Sequence, residues 1–251
     1  MRKHIGKCIY CGGSDSKLTD EHIIPYGLLL EGQEELVLEK ASCVSCQEII
    51  NKVETNVLKV LLKQPRSVLG FRSRHKTHKN EHVAKIDNKE VQVKMGEIGA
   101  WITLPEFNKP HLGTKEQEGI DVIGTSLIVY NHEVFTEKMK KKEISSISMT
   151  FKYEPAYFAR FIAKIAHGFF VYKFGLDRLK DLYLPGIILG KDSDLGARIG
   201  CIQTEKLEEK TIVRIDVHIK NKSKDAVGYV RFFEPWGGFT YVAHIGVANQ
   251  P

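Results

Sequence analysis

Four cysteines in two Cys-x-x-Cys pairs, Cys8/Cys11 and Cys43/Cys46, bracket a Glu21-His22 dipeptide in the first fifth of this 251-residue chain. Two such pairs are the tetrahedral thiolate set that zinc prefers, and four thiolates leave no open position for water, so the implied ion is structural. Between the pairs, a carboxylate stands next to an imidazole and is followed by Ile23-Ile24-Pro25. A hard carboxylate suits Mg²⁺, and an imidazole titrating near neutrality suits a general base. The bracket therefore pairs a structural clamp with groups that could hydrolyse an ester with the help of a divalent metal.

The elements that must position these residues are legible from periodicity. Gly12-Gly13 gives the tight turn of the first knuckle. Leu18 to Ile24 reads as a short strand stopped by Pro25, and Leu36 to Leu38 as a second. Val44 to Leu62 has helical spacing, with Ile49, Ile50, Val53, Val57, Leu58, Leu61 and Leu62 apolar, Ser42 as N-cap and Pro65 as the stop. Farther on, residues 83–86 and 91–94 alternate about an Asp87-Asn88-Lys89 turn and read as a hairpin. Ala100 to Leu104 and Val122 to Tyr130 read as strands. Pro155 to Phe174 is the clearest helix, with Pro155 in its first turn, Phe158, Phe161, Ile162, Ile165, Ala166 and Phe169 along one face, and Gly175 at its end. Val213, Ile215, Val217 and Ile219 alternate with polar residues, and segments 227–233 and 239–247 complete an antiparallel meander. The expected fold class is α+β: a small zinc-bound unit within residues 1–80, then an α+β domain over residues 81–251 with one prominent helix on an antiparallel sheet.

The order of these residues resembles the HNH endonuclease family over about residues 5–63. The resemblance implies a ββα-metal unit with His22 as the general base and Glu21 as ligand of a catalytic Mg²⁺ or Mn²⁺. A second metal ligand would come from the helix, at Gln47 or at Asn51 one turn later. Where the family has its middle Asn this chain has Glu35, and where it has a final His or Asn this chain has Gln47. The implied activity is metal-dependent hydrolysis of DNA phosphodiester bonds. The alternative reading is a non-catalytic, zinc-bound nucleic-acid-binding module on a degenerated HNH site.

Composition agrees with these readings without choosing between them. The chain is 42% hydrophobic and 27% charged, with a net charge of +6. Basic character concentrates just after the first helix: residues 63–79 hold six Lys/Arg and no acid, whereas residues 1–62 hold seven Lys/Arg against nine Asp/Glu. Arg66, Arg72 and Arg74 are candidate phosphate contacts, with a solvated face as the competing reading. His75, His78 and His82 read as part of a basic loop, His167 as a core histidine, and Lys138 and Lys140 to Lys142 as a solvated face. The fifth cysteine, Cys201, reads as an inert buried thiol. One cysteine left over after two metal-type pairs points to a reducing compartment. No segment reaches the ~18 apolar residues of a membrane span, and the start of the chain lacks a signal-peptide core, so a cytoplasmic protein without a membrane partner is expected.

Overall fold

The computed structural model describes residues 1–14, 17–73, 81–94, 100–110, 119–130, 132–141, 143–148, 150, 154–203, 212–234 and 239–249. The fold is mixed α+β with several sheets and a few helices. The first sheet joins β1 (Arg2–His4), β2 (Leu18–His22) and β3 (Val37–Cys43) in the order β1-β3-β2. β1 runs parallel to β3, and β2 runs antiparallel to it, pairing His22 with Val37 and Glu21 with Leu38. The β2–β3 register shifts between Thr19 and Glu21. A bulge of this kind re-aims side chains. Here Glu21 is buried while His22 is half-buried.

β3 passes directly into α1 (Val44–Asn56). Cys46, Ile50 and Val53 are buried and recur at helical spacing, so one stripe of α1 faces the core. Cys43 stands at the N-cap and Ser42 does not: Ser42 is a buried residue of the strand, where its hydroxyl cannot reach the first helical amides. The expected single helix to Leu62 is also corrected. It gives way to a π-helical turn, Val57–Leu61, and then to α2 (Lys63–Val68). Pro65 lies inside the first turn of α2 and does not stop the helix, because first-turn amides need no intrahelical acceptor.

Beyond the basic stretch, β4 (Glu81–Ile86) and β5 (Lys89–Lys94) form the expected hairpin. Asp87 and Asn88 both take positive φ, 48° and 67°, as a two-residue turn of this hand requires. β6 (Ala100–Phe107) pairs with β7 (Val122–Tyr130). Lys138 and Lys140 fall in α3 (His132–Lys140), and β8 (Ile147–Ser148) adds to β4.

The central helix, α4 (Pro155–Phe174), has the bounds expected from its pattern. Gly175 follows at φ 85°, its N–H donating to the Val171 carbonyl at 2.9 Å. Behind α4 stands an antiparallel sheet in the order β10-β13-β12-β11 (Ile199–Ile202, Thr240–Ala248, Asp225–Phe232, Val213–Ile219), with β9 (Leu179–Leu182) also on β13. Phe158, Phe161, Phe232 and Tyr241 interlock between helix and sheet. Gly228 is required where β12 meets α4, since a Cβ there would lie 2.7 Å from the Ala166 methyl. Cys201 is the buried thiol expected, its Sγ donating to the Phe107 carbonyl at 3.0 Å.

A single apolar cluster runs from Cys8, Ile9 and Ile50 through α4 to the sheet. Polar anchors reinforce it. Lys3 Nζ donates to the Val171 and Tyr172 carbonyls at 3.2 and 2.7 Å, at the negative end of the α4 dipole. His167 is fully buried, and its Nε2 donates to the Ile9 carbonyl at 2.9 Å. Burial lowers the His167 pKa to about 4. The unfolded chain takes a proton there below pH ~6.5, whereas the folded chain does so only near pH 4, so stability falls as pH falls through that window. Acid titration of the melting temperature should show this loss, worth about 3 kcal/mol at most. His167→Gln, which keeps a donor for Ile9, should flatten it.

Candidate functional site

The four-cysteine cluster assembles from three elements: the turn after β1, the end of β3 and the first turn of α1. Gly12, at φ 77°, closes the knuckle, with its N–H donating to the Cys8 carbonyl at 2.9 Å and the Cys8 N–H donating to Gly13 O at 2.8 Å. The Sγ atoms of Cys8, Cys11, Cys43 and Cys46 all lie within 4.8 Å of one another, those of Cys11 and Cys43 at 3.7 Å. A tetrahedron of Zn–S bonds of about 2.3 Å has S···S edges of about 3.8 Å, so the group could hold a metal ion such as zinc. Burial raises the Cys8 and Cys46 thiols. At Cys43 burial acts the same way, but the Cys46 amide and the neighbouring thiols outweigh it and hold the group down at about 7. Four sulfurs gathered so closely need a cation before all can ionise.

Beside this cluster, β2, α1 and the segment after β2 enclose a cavity of about 500 Å³. Glu21 and His22 contribute from β2, and Gln47, Asn51 and Glu54, which share a face of α1 at i, i+4 and i+7, contribute from the helix. The expected site residues on these two elements are thus brought to one cavity. Arg66 and Arg72 close another side.

The two residues of the Glu-His pair have different settings. His22 Nδ1 lies 3.2 Å from Glu35 Oε2, and the other Glu35 oxygen accepts from Arg72 at 3.1 Å. Arg72 and His22 thus approach the two oxygens of one Glu35 carboxylate. Glu21 is 1% exposed. Its Oε1 pairs with Lys164 Nζ of α4 at 2.8 Å, while its Oε2 is buried with no hydrogen-bond partner. The Tyr10 hydroxyl, buried beside this carboxylate, also lies outside hydrogen-bonding geometry. Burial raises the Glu21 pKa, with Lys164 opposing. Gln47 donates from Nε2 to Asn51 Oδ1 at 3.2 Å, and its Oε1 is likewise buried without a partner.

The basic residues are less free than their charge suggests. Arg66 donates to the Gly27 and Leu58 carbonyls at 2.8 and 3.2 Å, and burial lowers its pKa. Gly27 permits that approach, since a Cβ there would sit 2.7 Å from Arg66 Nη2. Arg72 donates to Gln33 O at 2.7 Å and stacks over Tyr26 at 5.6 Å. Arg74, His75 and His78 lie outside the described residues, as does the side chain of His82.

Sequence reasoning missed two parts of the site. Glu35 stood out only as a departure from a family pattern, yet its carboxylate lies 3.2 Å from His22 Nδ1. Lys164 was passed over on an apolar helix. Its signal was available: a lysine three residues after Phe161 and seven before Val171 falls on the buried face of α4.

No family model matches the chain, and neither the curated proteins nor the solved structures offer a match. Among the described residues, no helix is long and apolar enough to cross a membrane. The site rests on its own geometry. Purified protein should carry about one tightly held metal ion per chain by elemental analysis, with Cys43→Ser reducing that ion and the melting temperature together.

Proposed function

We propose that the chain is a metal-dependent DNA endonuclease of the HNH type, with zinc in the four-cysteine cluster and Mg²⁺ or Mn²⁺ in the adjoining cavity. The observation that carries this reading is the convergence on one cavity of an imidazole beside Glu35 and a buried carboxylate. The oxygen donors fit a hard cation: Glu21 Oε2 and Gln47 Oε1 are buried without hydrogen-bond partners, and Asn51 and Glu54 flank them. Glu21 with Gln47 or Asn51 would hold the ion, which when bound offsets negative charge on a phosphate and on the departing 3′ oxygen.

His22 accepts the proton of the attacking water. The Glu35 carboxylate, 3.2 Å from Nδ1, favours the tautomer protonated on that nitrogen, which leaves Nε2 as the basic one. Glu35 does what an Asn carbonyl would do in its place, with a full negative charge that also favours the imidazolium formed when the proton arrives. Arg72 offsets that charge and keeps Glu35 in position. Arg66 and Arg72 give the cavity a positive margin suited to the phosphate backbone, so DNA contact there is independent of base sequence.

The second reading is a zinc-bound nucleic-acid-binding module without catalysis. The ion pair of Lys164 with Glu21 favours it, because the carboxylate already has a cationic partner. Plasmid nicking in Mg²⁺ or Mn²⁺ separates the two. Wild-type protein should cut, leaving 5′-phosphate and 3′-hydroxyl ends. His22→Ala should lose about 10²–10⁴ in rate while keeping DNA binding and the metal of the cysteine cluster. Wild-type protein that binds DNA and leaves it uncut with either metal establishes the second reading.

A further inference from the structure

Lys164 is 1% exposed, yet its ammonium is surrounded by oxygen. Glu21 Oε1 lies at 2.8 Å and Glu54 Oε1 at 2.9 Å. The Ile23 carbonyl accepts at 3.2 Å, and the His22 carbonyl accepts as well. An ammonium has three protons and here meets four oxygens, two carboxylate and two carbonyl. Such a shell is typical of a hard cation, which gathers as many oxygens as fit. Glu21 and Glu54 reach this cage from β2 and α1 and also line the cavity, whereas Lys164 arrives from α4.

We propose that Lys164 is a tethered cation in a carboxylate cage beneath the cavity, supplying charge that a more tightly bound divalent ion would otherwise supply. Two carboxylates and one ammonium leave a single negative charge on the cavity floor. That floor takes a divalent ion weakly and gains from an anionic phosphate arriving with it. The helix α4, which belongs to the larger C-terminal part of the chain, thereby sets the metal affinity of a site built from the first 60 or so residues. This inference shares with the proposed function only the premise that Glu21 faces a divalent ion.

The test is calorimetric titration of Mn²⁺ into wild-type protein whose cysteine cluster is metal-loaded, and into three variants. Lys164→Met keeps the length of the side chain and removes its charge, so Mn²⁺ should bind at least roughly tenfold more tightly. Glu54→Gln should weaken binding. Lys164→Met with Glu54→Gln, which restores the net charge of the floor, should return close to the wild-type affinity. If Lys164→Met does not fold alone, Mn²⁺ present during refolding should recover soluble protein with its cysteine cluster loaded. Mn²⁺ binding in Lys164→Met no tighter than in wild type overturns the proposal, and so does a misfolded variant that Mn²⁺ cannot recover. None of these readouts requires cleavage. Protein that cuts no DNA but shifts its Mn²⁺ affinity as stated sinks the nuclease reading alone; protein that cuts DNA with an unshifted affinity sinks the tethered cation alone.

Discussion

A fully buried ammonium is tolerated only where anions and carbonyls replace its water, and much of this fold is arranged around meeting that demand for Lys164. The Glu21 carboxylate comes from β2, the Glu54 carboxylate from α1 and the carbonyls of His22 and Ile23 from the exit of β2. Two separate elements, β2 with its exit and α1, thus converge on one nitrogen supplied by α4. Each ion is expensive to bury, so the pairings are mutually dependent: moving α4 by the length of one hydrogen bond would strand the Glu21 carboxylate in a low dielectric. The Glu21 and Glu54 charges outweigh burial at Lys164 and raise its pKa, which keeps the ammonium charged.

The other anchors act in the same direction. His167 ties α4 to Ile9 beside the first cysteine pair, and Lys3 ties β1 to the C-terminal carbonyls of α4. The cysteine cluster brings the turn after β1 against the β3–α1 junction, where a metal ion could join them. β2 lies between the cysteine cluster and α4, and its bulge divides the work of neighbouring residues: Glu21 is turned into the cage and His22 toward the cavity and Glu35. Adjacent residues on a regular strand would also alternate faces; the register shift decides which residue takes which face. The placement of the two groups that the proposed chemistry requires follows from backbone geometry, before any metal is considered.

Local patterns made much of this visible in the sequence. The bounds of α4 follow from an apolar face bounded by Pro155 and Gly175, the β4–β5 hairpin from alternation about Asp87-Asn88, and the cysteine cluster from spacing. What could not be read shares one feature: its cause lies far along the chain. β1 is three polar-leaning residues, Arg2-Lys3-His4, with no apolar pattern, and it is a strand because β3 offers a parallel edge. The π-helical turn at Val57–Leu61 interrupts a pattern that continues smoothly in sequence, and Ser42 looks like a cap until β3 is seen to run to Cys43. Lys164 is separated from Glu21 by more than 140 residues, and no periodicity marks one as the partner of the other. Glu35 differs again: its chemistry could be anticipated as a hydrogen-bond acceptor, but its pairing with His22 depends on the β2–β3 register.

The proposed divalent cation would sit in one cavity on oxygen donors from β2 and α1, apart from a metal in the cysteine cluster. The most direct measurement is anomalous diffraction from crystals of the wild-type protein soaked in Mn²⁺. The account predicts two separate peaks, one among Cys8, Cys11, Cys43 and Cys46 at the zinc edge, and one at the manganese edge within coordination distance of Glu21 and of Gln47 or Asn51. A cysteine peak accompanied by an empty cavity floor at saturating Mn²⁺, with Glu21 still paired to Lys164, would contradict it.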